Sequence, residues 1–385
     1  MSLTVKNLNG DATFLLTFSP LHKPEFGHVD PSQDYRIVTD PWLTGSSKVY
    51  HPKFSLTSQI TEPCVSSLAD MPEPDLIVIS QSKSDHCNEQ TLRTLSQRAK
   101  TVILAEAGAA KLIRGWKHFK PDQVVTLPKY TTTTKNSLHR ISIPARSGNG
   151  QAGEITVGYV AQSWDMTGLH CAIGITYRPP IDDIDILTNP LALLPLTPPD
   201  SPLSAPREFS SRASSARLQP SSSPNIAAML PASPALSSTA SQISQPSPLM
   251  QHPAPTLSVL HCPHGIHPST LQPYIKYLSS SGALPLTLLL HCFDAVSNPW
   301  YLGGIISPGL PNGAKLAQLL QAKTWISAHD EPKKVTGWST KLVKTKVYSR
   351  DEVESVVSPR SENFPEVREG PDVRVLGVGE QILLS

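Results

Sequence analysis

The chain has 385 residues, enough for one large domain or two small ones. A net charge of +2 excludes a bulk electrostatic attraction to nucleic acid or acidic membranes. Apolar residues make up 39% and charged residues 17%, and 12 of the 38 prolines gather with serines in the single region 197–255. The five cysteines, Cys64, Cys87, Cys171, Cys262 and Cys292, are odd in number, scattered and without a CxxC pair. That spacing argues against both a disulfide framework and a zinc finger. The N-terminal stretch lacks a charged leader with an apolar core, and no apolar run approaches a membrane span. The expected compartment is therefore cytoplasmic, with the nucleus left open.

In chain order, 3–7 and 12–18 alternate apolar and polar residues and predict a β-hairpin turned by Asn9-Gly10-Asp11. A short strand at 35–39 ends on Asp40-Pro41-Trp42. Leu76-Ile77-Val78-Ile79 reads as a buried strand, then a polar turn reaches Asp85-His86 and a helix-like segment covers 89–98. Strands are expected at 101–105, 123–127, 138–144, 155–161 and 171–178, with a helix at 107–117. Residues 181–196 are ambiguous. From 197 to 255 the composition turns to Ser, Pro and Ala, which cannot bury enough apolar surface to offset ordering entropy, so this stretch is expected to be disordered. Its Ser-Pro and Thr-Pro steps are candidate phosphate acceptors, with low-complexity filler the plainer reading. Order is expected again in a strand at 257–261, a helix at 269–279 capped by Ser269, a strand at 286–290, a helix at 313–320, a strand at 324–328 and two short strands at 373–376 and 381–384.

A strand that hands a polar loop to its C-terminal end is where open α/β sheets place chemistry. The stretch Ser80-Gln81-Ser82-Lys83-Ser84-Asp85-His86 resembles the Thr/Ser-His-x-His-x-Asp-His signature of the metallo-β-lactamase superfamily. Its Asp-His half matches, while Gln81 and Lys83 stand where that signature has histidines. The resemblance, nearest the lactonase-like branch, covers residues 3–180 and 256–385. It implies a four-layer αββα sandwich, with 1–196 and 256–385 as the two halves of one domain and 197–255 inserted between them.

A complete site of that family holds two metal ions. Here the resemblance implies at most one, held by Asp85, His86 and the late His329, with Cys262 or His264 as the further ligand. Zinc suits such a set, manganese and iron remain open, and Cys262 would favour zinc. Gln81 is a poor ligand, and Lys83 has no lone pair until it loses a proton. Asp40, Trp42 and Asp294 are expected around a substrate pocket, Asp40 either supporting a ligand or simply capping its turn.

Three readings follow. One metal ion activates water, with Asp85 in a catalytic role, to hydrolyse an ester, lactone or phosphoester. Alternatively the site is metal-free, and Lys83 supplies a fixed positive charge for Asp85, Asp294 or an anionic ligand. In the third, the chain is a catalytically silent homologue that binds a small anion or a protein. No helix-turn-helix, RNA-recognition motif or basic stripe supports nucleic-acid binding. The partner expected is a small-molecule substrate or an anionic ligand.

Overall fold

A computed structural model describes residues 1–20, 34–49, 51–145, 150–165, 167–181, 256–359 and 370–385. The stretch expected to be disordered, 197–255, lies outside them, as does most of 181–196. The first half runs β1 (Ser2–Asn7), β2 (Phe14–Ser19), β3 (Tyr35–Thr39), β4 (Ser47–Val49), β5 (Ser55–Gln59), β6 (Leu76–Ile79), α1 (Glu89–Leu92), β7 (Val102–Ala105), α2 (Ala107–Gly115), β8 (Val124–Thr126), β9 (Leu138–Ile143), β10 (Gly153–Ala161) and β11 (Cys171–Arg178). The second runs β12 (Leu257–Cys262), α3 (Pro268–Ser280), β13 (Leu288–His291), β14 (Ala295–Ser297), β15 (Ile305–Pro308), α4 (Leu310–Leu320), β16 (Thr324–Ser327), β17 (Lys333–Thr336), β18 (Lys344–Lys346), α5 (Arg350–Val357), β19 (Asp372–Arg374) and β20 (Gln381–Leu384).

Two seven-stranded sheets carry the fold, in the orders β20-β1-β2-β3-β6-β7-β8 and β19-β16-β13-β12-β11-β10-β9. The chain leaves the second sheet after β11 and returns as its antiparallel neighbour β12. Period-two alternation decides which side chains meet. In β6, Leu76 and Val78 join the core between the sheets, while Ile77 and Ile79 turn outward. Phe14, Phe18, Ile37 and Leu104 face Val157, Ile175, Tyr177 and Leu290 across that inter-sheet core. Outside the first sheet, Ile77, Ile103 and Ala105 pack on Leu92 of α1 and Ala109 and Ile113 of α2. Outside the second, Leu260, Leu289 and Trp325 pack on α3, α4 and α5 through Tyr274, Leu316 and Val353. The layers are therefore α, β, β, α, and each large side chain so buried contributes about 1.5–3 kcal/mol.

One helix–sheet contact depends on missing side chains. Gly158 and Gly174 stand opposite each other in the β10–β11 ladder. A Cβ on Gly174 would lie 2.1 Å from Tyr274 Oη, and one on Gly158 would lie 2.7 Å from Tyr274 Cε2. The bare backbone is what lets the α3 tyrosine lie on the sheet.

Several expectations need correction. The helix expected over 89–98 stops after four residues, because Thr94 Oγ donates to Thr91 O at 2.6 Å and takes over a helix acceptor. The 269–279 helix begins one residue earlier than expected and is capped by the imidazole of His267, which accepts from Ser269 N, rather than by Ser269. The short strands β4, β5, β14, β15, β17 and β18, which form two small three-stranded sheets, had no expected counterpart.

Candidate metal centre

The parallel strands β3, β6, β12 and β16 all end at one rim, and each hands over a polar residue there. Asp40 follows β3, His86 lies in the loop after β6, His264 follows β12 and His329 follows β16. The ligand-capable atoms of His86, His264 and His329 lie within 4.8 Å of one another. His86 Nε2 and His264 Nε2 are 3.0 Å apart.

The second nitrogen of each ring is tied to an oxygen. His86 Nδ1 meets Asp40 Oδ2 at 2.9 Å. His264 Nδ1 lies 3.2 Å from both Ile306 O and Ser307 Oγ in β15. His329 Nδ1 meets Asp11 at 3.0 Å. Lys333 Nζ donates to the same carboxylate at 2.8 Å, which explains why it also comes within 3.2 Å of His329 Nδ1. An acceptor on Nδ1 keeps the proton there and leaves Nε2 with a free lone pair, the arrangement that metal-binding imidazoles use.

Asp40 anchors this cluster. It is fully buried, and its Oδ2 takes His86, His261 Nε2 (2.9 Å) and Ser80 Oγ (2.6 Å), while Oδ1 takes Ser80 N at 2.7 Å. Burial alone would raise its pKa, but His86 and His261 more than offset that and hold the carboxyl below the usual carboxylate range. Asp11 is held low in the same way by His329 and Lys333. Burial opposes a charge on His86, yet Asp85 and Asp40 lift it above the ordinary histidine value. His264 goes the other way, pushed well down by burial and then by His329, His86 and Lys333. A cation placed between the two Nε2 atoms would take a lone pair from each ring. Backbone strain gathers here too: Asp40 and His329 are non-glycine residues at φ +40° and +75°.

The remaining candidates are placed as follows. Asp85 lies beside the cluster, one carboxylate oxygen 4.0 Å from His86 Nε2, with its side chain partly exposed. Lys83 is half-buried, and its carbonyl accepts from His86 N and Cys87 N, so its backbone shapes the turn that presents His86. Neither amide atom of buried Gln81 has a hydrogen-bond partner among the described residues. Cys262 does not join the histidines. Alternation along β12 sends His261 to the inter-sheet side and Cys262 outward into the apolar layer under α3. Burial, then the neighbouring Cys292 and Cys171, pushes that thiol well up. Trp42 is fully buried with its indole N–H donated to Gly45 O at 3.1 Å, so it packs rather than lines an open pocket. Asp294 accepts from Tyr348 N at 2.9 Å and serves the loop after β13.

Sequence reasoning missed Asp11, His261 and Lys333. Asp11 was legible only as part of a turn. His261 stood in plain view in the run His261-Cys262-Pro263-His264, and alternation would have separated it from Cys262.

Residues 35–172, which include Asp40 and His86, match the β-lactamase superfamily domain. That match covers about a third of the chain, and the sheets and helices around it have the layering of a metallo-β-lactamase-like sandwich. No curated protein matches its sequence. Similar solved structures include an isothiocyanate hydrolase from Delia radicum gut bacteria, 11% identical over 98% of each chain with a TM-score of 0.47. A possible metal-dependent hydrolase from Veillonella parvula is 12% identical over 99% of each chain, with a TM-score of 0.47. Igni18, a novel metallo hydrolase from the hyperthermophilic archaeon Ignicoccus hospitalis, is 11% identical over 100% of this chain and 99% of its own, with a TM-score of 0.43. Identities this low carry nothing about substrate. Within the metallo-β-lactamase sandwich the histidine cluster sits at the strand-end rim, and among the described residues no helix is long and apolar enough to cross a membrane.

Proposed function

We propose that the chain is a metal-dependent hydrolase with a single-metal site, acting on an ester, lactone or phosphoester. The observation that carries this reading is the set of three imidazoles whose Nδ1 atoms are each held by an oxygen while their Nε2 sides converge. His86, His264 and His329 would hold the ion, with a carboxylate oxygen of Asp85 as the fourth donor. Three nitrogens and an oxygen suit zinc. When bound, such a cation supplies Lewis-acid polarisation of a carbonyl or phosphoryl oxygen and a water acidified enough to react near neutral pH.

The protein's own groups do the rest. Asp40 and Asp11 keep the proton on His86 Nδ1 and His329 Nδ1 and fix both rings. Ser307 and Ile306 O do so for His264. Asp85, partly exposed at the edge of the cluster, is placed to take a proton from a reacting water or hand it to solvent. Gln81 and Lys83, where histidines would complete a second site, favour one ion over two.

Elemental analysis of purified protein, with metal-stripped and zinc-reloaded samples assayed on activated esters, tests this. About one equivalent of metal is expected, lost in His264→Ala, with hydrolysis that returns only on reloading. Protein that binds no metal and melts at the same temperature with and without zinc would favour the silent homologue.

A further inference from the structure

The small sheet β4-β5-β17 joins two segments of unusual charge. Residues 41–61 and 333–350 contain eight Lys and Arg and no Asp or Glu, in a chain whose totals are 33 and 31. Antiparallel pairing places Lys333 opposite Gln59 and Thr336 opposite Leu56, with β4 on the other side of β5. Just beyond β17 the chain is tied back to this sheet, and it then passes to β18, which pairs with β14 in the other small sheet. Trp338 N donates to Lys53 O at 3.1 Å, and the Trp338 ring meets Phe54 edge-on at 4.8 Å.

Lys48, Lys53, Lys334, Lys341 and Lys344 are all exposed, and none makes an ion pair among the described residues. Exposed apolar side chains alternate with them: Val335, Trp338 (56% exposed), Leu342 and Val347. Glu62, Asp351 and Glu352 border the two segments, Asp351 beside Arg350 and Glu352 in the capping box of α5, and three carboxylates beside the surface are engaged. Asp11 takes Lys333, Glu331 accepts from Thr61 Oγ at 2.6 Å, and Asp85 lies against His86.

We propose that this surface docks the protein on an anionic lipid bilayer. Lysines bury their stems while their ammonium groups reach lipid phosphate and carboxylate, and a tryptophan suits the headgroup boundary. The exposed valines and leucine favour a bilayer over a nucleic acid, because aliphatic groups gain nothing against a hydrated phosphate backbone but bury readily at the acyl boundary. The net charge of the whole chain hides this surface, since the balancing acids lie elsewhere.

Vesicle flotation tests it with full-length protein. Flotation is expected with vesicles of phosphatidylcholine mixed with phosphatidylserine, not with phosphatidylcholine alone, and it should weaken as salt rises. Lys341→Ala with Lys344→Ala should weaken binding about thirtyfold, from roughly fivefold for each lysine. Lys111→Ala with Lys315→Ala, on α2 and α4, should change nothing. Leu342→Ser with Val347→Ser should lose flotation while retention on heparin persists. Each variant is accepted only if its melting temperature matches the parent. No flotation with anionic vesicles at low salt, equal flotation of either patch variant, or equal flotation on uncharged vesicles would overturn the proposal.

Discussion

Asp40 accepts from three side chains and a backbone amide while fully buried, so its charge is matched by donors that lose their partner if it changes. Asp40→Asn keeps the shape and removes the charge that fixes His86. Zinc affinity should fall about 10–100-fold, read by competition with a chelating dye, and an unchanged affinity would remove Asp40 from the account. The sign of the pH effect follows from its depressed pKa. In metal-free protein its stabilisation is complete above the unfolded carboxylate value near pH 4 and is lost as the pH falls from there through the lower folded value. Melting temperatures measured down an acid series should show that loss, and Asp40→Asn should flatten it. The cysteines give a simpler test. Cys87, Cys171, Cys262 and Cys292 are buried, and burial raises the pKa of each thiol, whereas Cys64 is exposed. A disulfide reagent should modify one thiol quickly in the native protein and the other four only in denaturant.

At the scale of elements, α3 is seated on the paired glycines of β10 and β11. Gly174→Ala should cost about 1–3 kcal/mol in denaturant unfolding, since a Cβ there drives Tyr274 off the sheet. Tyr274→Phe should be neutral or stabilising, because the buried hydroxyl has no hydrogen-bond partner among the described residues. These elements also show what was legible. Runs such as Leu76–Ile79 and Cys171–Arg178 announced buried strands because both of their faces are covered. The short polar strands at 47–49, 333–336 and 344–346 carry no such pattern, being defined by pairing alone. The helix α5 was legible and unread: Ser349 and Glu352 form a capping box at its start. Within the site, His86, His264 and His329 were readable from strand-end positions, while Asp11 reaches His329 over 318 residues of sequence that no local pattern spans.

On the scale of the whole molecule, two sheets bring residues from opposite ends of the chain to one rim. Asp11 comes from the first hairpin, His86 from the first sheet, and His264 and His329 from the second. The family signature would add a second ion beside Gln81 and Lys83. Gln81→His with Lys83→His should therefore raise bound metal above one equivalent, and no change would mean that more than two side chains have been lost there. The most direct test of the central claim is X-ray absorption at the zinc edge of the loaded protein. The geometry predicts about three imidazole nitrogens and an oxygen at roughly 2.0–2.1 Å, with no sulfur scatterer. A sulfur shell near ~2.3 Å, or fewer than two imidazoles around the ion, would contradict the assignment of His86, His264 and His329 as the ligands.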